Sequence, residues 1–165
     1  MIGRASIVAA VGTATFVSAG LVANAGVLVL TRLAIVGGAL AACALHDFVQ
    51  RRIPNRIVVP AAATCAALTL AAGLPLTLIA GLAMVILLLV VSLRWPAALG
   101  MGDVKLALLL VLGLDGDALR ALALGLLLAA VAGFALVIRH GRTAWRASLP
   151  MAPFLVAGAL LTVIA

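Results

Sequence analysis

Apolar stretches follow one another along nearly the whole chain, at roughly 5–29, 33–49, 56–72, 75–93, 103–114, 118–138 and 150–165. The breaks between them are short: Pro54-Asn55, Gly73-Leu74-Pro75, Trp95-Pro96, the Gly113 to Asp117 turn, and Pro150. A soluble domain carries about 25% charged residues. Here only 9% of 165 residues are charged and 67% are hydrophobic, so the chain has no polar coat to present to water. The solvent that suits it is a bilayer. Strands in lipid require a closed barrel with alternating polarity, and that alternation is absent, so the stretches are read as helices. The expected fold is all-α: a polytopic transmembrane bundle of about six to seven helices. The abundance of Ala, Gly and Leu suits such packing, because membrane helix contacts favour small residues. No internal repeat, linker or low-complexity segment divides the chain, which reads as one domain over 1–165.

The formal charge of +7 is carried in short segments between apolar runs. Its simplest meaning is orientation in a membrane rather than contact with nucleic acid. With the amino terminus inside, Arg4, Arg51, Arg52, Arg56, Arg94, Lys105, Arg139, Arg142 and Arg146 fall on the cytoplasmic side, and Arg32 and Arg120 fall outside. That bias predicts a multi-pass protein of the inner or plasma membrane, with the carboxyl terminus outside. The Arg51, Arg52 and Arg56 cluster also offers a contact to anionic lipid. Met1 to Ala25 resembles a signal peptide ending in a small-residue site, Ala23-Asn24-Ala25, but the apolar run is long for one and is read as a retained helix. Cys43 and Cys65 stand alone in apolar runs and read as small buried hydrophobes.

Acids are scarce. There is no Glu, and there are four Asp. Asp115 and Asp117 lie in the Leu114-Asp115-Gly116-Asp117 segment and read as turn and cap residues. Asp47 and Asp103 fall at the ends of different apolar stretches, on the same predicted side of the membrane. An ionisable residue at membrane depth is costly and points to function. The stretch from Asp103 to Leu114 covers only about 18 Å, against a hydrocarbon core of about 30 Å. It cannot cross alone, so Gly100-Met101-Gly102-Asp103 is expected in a sunken, water-accessible loop. A β-branched residue at Gly102 should then harm function, and the same change at Gly73 should cost much less.

Three segments carry a resemblance. Asp47-Phe48-Val49-Gln50-Arg51-Arg52-Ile53-Pro54-Asn55 resembles the D-x-x-x-x-x-I-P-N segment of type IV prepilin peptidases. Gly100-Met101-Gly102-Asp103-Val104-Lys105-Leu106 is similar to that family's G-x-G-D-V-K-L segment, and Pro150-Met151-Ala152-Pro153-Phe154 to the proline-rich start of its last helix. The resemblance spans about 33–165 and leaves 1–32 as an extra amino-terminal helix. It implies an aspartic endopeptidase of the G-x-G-D type, which removes a short basic leader from pilin-like precursors at the cytoplasmic face. Asp47 and Asp103 are the residues carried over as catalytic. Gly100, Gly102, Lys105, Pro54, Asn55, Pro150 and Pro153 are carried over as support for substrate and loop. The larger members of the family hold an insert with paired CxxC motifs and also methylate the new amino terminus. This chain lacks the insert, so methyl transfer is not expected. It looks like the short members that serve Flp-type pili, or like archaeal preflagellin peptidases.

Hydrolysis by two carboxylates needs one ionised, to draw a proton from water, and one protonated, to donate to the carbonyl oxygen or the leaving amine. Neighbouring carboxylates reach that state together, as a coupled pair. Asp103 at a helix start suggests the base, and Asp47 near a helix end the acid, although Arg51 argues the other way. His46 and His140 are not at metal-ligand spacing, there is no H-E-x-x-H, and no Ser has a nucleophile setting, so no metal or cofactor is expected. His46 reads as a packed or interfacial residue. The alternative reading is a small ion- or proton-coupled transporter using Asp47 and Asp103. Both acids lie toward one face, however, whereas transporter sites tend to lie at the midplane.

Overall fold

The structure, a computed structural model, describes residues 2–22, 26–50, 52–96, 99–140 and 150–164. Among these residues there are seven α-helices: α1 (Ile2–Val22), α2 (Val27–Gln50), α3 (Asn55–Ala72), α4 (Leu76–Arg94), α5 (Met101–Leu114), α6 (Ala118–His140) and α7 (Ala152–Ile164). A single 3-10 turn, Asp115–Asp117, joins α5 to α6. The all-helical expectation holds, and the helices fall close to the seven apolar stretches. The predicted small-residue site at Ala23-Asn24-Ala25 lies outside the described residues, as do Arg51, Arg142 and Arg146.

Four helical segments are long and apolar enough to cross a membrane: Val27–Gln50, Asn55–Ala72, Leu76–Arg94 and the continuous path Met101–Arg139. Their outward faces are apolar. Val59 and Leu70 on α3, Ile79, Ile86 and Leu93 on α4, and Leu127, Phe134 and Ile138 on α6 are exposed, as lipid contacts require.

α5 occupies the middle. It packs against α2, α3, α4, α6 and α7, and Leu106, Leu109, Leu110 and Val111 are fully buried. A helix that is apolar all round belongs inside a bundle. Its 14 residues give a length of about 21 Å. That is short for a lone span, but its neighbours rather than lipid enclose it.

Packing elsewhere follows the small residues. α1 lies along α2, and α6 lies along α7. In the second pair Gly158 faces the Gly125 backbone, where an added Cβ would sit 2.5 Å from the Gly125 nitrogen. Only hydrogen fits there, which is how membrane helices come into backbone contact.

Two expectations need correction. The break after the first apolar stretch was placed around Arg32, but α2 begins at Val27 and Arg32 is a buried residue within it. A charge looks like a loop signal in sequence; here it is neutralised by Asp115, which is far away along the chain. Gly73, expected to tolerate a β-branched residue, has φ 91° and closes α3. L side chains rarely adopt that conformation, so the position is a glycine requirement despite its open surroundings.

Candidate active site

The carboxyl-terminal end of α2 and the starts of α3, α5 and α7 meet at one end of the bundle, and the three sequence segments come together there. Asp47 is on the last turns of α2 and is only 8% exposed. It accepts a hydrogen bond from the backbone N–H of Ala152, the first residue of α7, at 3.1 Å. Asp103 is in the first turn of α5, behind the cap residue Gly100. Its own N–H bonds to the Gly100 carbonyl at 3.0 Å. Its carboxyl lies at the same end of the bundle as Asp47.

The first two segments touch directly. Lys105 Nζ donates to Asn55 Oδ1 at 2.8 Å. A Cβ on Gly102 would lie 2.9 Å from Ile53 Cδ1 and 3.1 Å from Ile53 Cβ. Gly102 is therefore small because the Ile53-Pro54-Asn55 corner packs against it. Its backbone, like that of Gly100, has no positive φ. Pro54 caps α3 in an extended conformation, and its carbonyl accepts from Ile57 and Val58. Gly102 and Asp103 lie in the first turn of α5, and Gly100 and Met101 ahead of them are exposed.

Beside Asp103 a narrow cleft of about 10 Å³ lies between α4, α5, α6 and α7, lined by Leu88, Leu99, Leu122, Leu126, Met151 and Leu155. Apart from Asp103, its walls are apolar. Pro150 and Pro153 flank the start of α7. His46 is half-buried. Cys43 and Cys65 are free, buried thiols on α2 and α3. Among the described residues no group of three or more His, Cys, Asp or Glu side chains stands together as a metal site would require.

A carboxylate held by a backbone donor beside a second carboxyl that opens on an apolar cleft is an arrangement suited to acid–base chemistry on a bound chain. A family model, that of the type IV leader peptidase family, matches residues 34–138. The chain belongs to the type IV leader peptidase family. No curated protein and no solved structure matches it. The family assignment makes it a peptidase, and with its apolar helices a multi-pass membrane protein. The matched region of this leader peptidase family member holds both Asp47 and Asp103, and ends before α7.

Sequence reasoning singled out the segment from Pro150 to Phe154, but not the N–H of Ala152, which is the atom that reaches Asp47. A backbone donor leaves no side-chain signature. Nor did it find Ile53 as the wall behind Gly102, although that residue lies inside the first segment.

Proposed function

We propose that the chain is an aspartic endopeptidase that removes the basic leader from pilin-like precursors at the cytoplasmic face of the membrane. One observation carries the reading: segments far apart in sequence bring Asp47 and Asp103 to the same end of the bundle, with Asp47 tied to the start of α7. The absence of a CxxC insert in the sequence favours a peptidase without methyl transfer, of the kind that serves Flp-type pili.

The division of labour follows from the donors. Asp47 faces the amino-terminal end of α7 and takes the Ala152 N–H; a helix start stabilises negative charge. Asp47 is read here as the base, where helix position alone suggested Asp103. Asp47 takes a proton from water, and the water oxygen attacks the scissile carbonyl. Asp103, on the edge of the apolar cleft, gives its proton first to the carbonyl oxygen. As the C–N bond breaks, Asp47 gives its proton to the leaving amine and a hydroxyl of the tetrahedral intermediate returns its proton to Asp103, so the pair is back in its starting state. Arg52, Arg56 and Lys105 keep this end of the bundle in the aqueous and headgroup layer.

The test is co-expression with a pilin-like precursor. The reading expects a shift to the shorter product that depends on the chain. Proton-coupled uptake of a solute into vesicles without any cleavage would favour a transporter instead.

A further inference from the structure

At the opposite end of the same two helices lies a second pair of charges. Arg32, near the start of α2, is only 5% exposed. Its Nη1 donates to Asp115 Oδ2 and to Thr69 Oγ1 of α3. Thr69 in turn donates to the Leu112 carbonyl of α5 at 2.9 Å. Asp115 is the only non-glycine among the described residues with positive φ, 47°. Gly116, the next residue, would take such a conformation at lower cost. The chain instead holds an aspartate there, and its carboxylate reaches Arg32. Strain of this kind persists where the surroundings over-determine it, and it clusters at functional positions. Beside the pair, α5 lies directly on α2: a Cβ on Gly113 would overlap Val36 Cγ2.

The geometry points to a role for this pair, given the reading above of Asp47 and Asp103. We propose that Arg32 and Asp115 are positioning residues that lock the axial register of α2 against α5, and so set the spacing of the two carboxyls at the other end. α2 runs as one helix for about 22 Å from Arg32 to Asp47, and α5 for about 16 Å from Asp103 to Leu114, with Asp115 the next residue. A slip at one end therefore reappears at the other. Opposite charges at the far end draw the two helices together. Arg32 and Asp115 line a cavity of about 310 Å³.

The experiment separates position from folding. In Arg32→Met/Asp115→Asn neither buried charge is left without its opposite, so insertion is retained while the lock is lost; Arg32→Lys keeps the charge. At matched amounts in membranes, the double variant should lose about 100-fold in kcat, the scale of a misplacement near 1 Å. KM should stay within about twofold, and Arg32→Lys should retain more activity than Arg32→Ala. Wild-type kcat in the double variant, or a change in KM alone, would overturn the proposal. A second readout does not depend on catalysis. With Cys43 and Cys65 replaced by Ala, Asp47→Cys and Asp103→Cys are bridged by a short bis-methanethiosulfonate, each thiol displacing a sulfinate, with and without Arg32→Met/Asp115→Asn. The yield should fall when the lock is removed, and an equal yield overturns the proposal even if the aspartates prove not to be catalytic. Cleavage that survives Asp47→Asn would instead sink the peptidase mechanism and leave the cross-linking result standing.

Discussion

Single residues divide here by what reaches them from elsewhere in the fold. Asp115 and Asp117 look alike in sequence, two acids in one turn, yet only Asp115 meets a buried cation. Asp117 pairs with Arg120 at 3.4 Å, with both side chains more than half exposed. Such a pair contributes roughly 0–1 kcal/mol. Asp117→Asn should therefore leave cleavage and thermal stability in detergent essentially unchanged; loss of activity there would mean that the exposed turn has a task beyond joining α5 to α6. Asp47 and Asp103 were legible because carboxyls are expensive in an apolar helix. The tie between Arg32 and Asp115 was not, because turn composition explained one partner and loop charge the other, and only tertiary contact joins them. The donor to Asp47 was hidden for a different reason: it is main chain.

At the scale of elements, hydrophobicity located the helices well, since each must satisfy its backbone internally. The boundary failed where a charge was internal, at Arg32; at Gly73 the boundary held, and backbone geometry overturned only the expected low cost of substitution. The glycine argument also changes its physical basis. Gly102 is required by the Ile53 side chain at 2.9–3.2 Å, not by an unusual φ. Gly102→Val should push the Ile53-Pro54-Asn55 corner away from α5 and strain the Lys105–Asn55 bond. We expect cleavage to fall by about 10²-fold, with insertion retained. The suitable control is Gly26→Val, where nothing lies within 4 Å of the added Cβ. Cleavage at matched protein levels compares the two, and equal tolerance would mean that the corner does not position Asp103.

Across the whole molecule, a short apolar helix, α5, sits at the centre and two charge pairings of opposite character sit at its two ends. The family match covers 34–138, so the helix that donates to Asp47, α7, lies beyond it, as does α1. The account's central claim is that Asp47 and Asp103 act together on a peptide bond. The most direct measurement is mass spectrometry of a pilin-like precursor incubated with the purified protein in liposomes, for the wild type, Asp47→Asn and Asp103→Asn. The account predicts one cut at the end of the basic leader by the wild type, and a rate lower by about 10²–10⁴-fold in each variant, at equal incorporation. Wild-type rates of the same cut in either variant would contradict it.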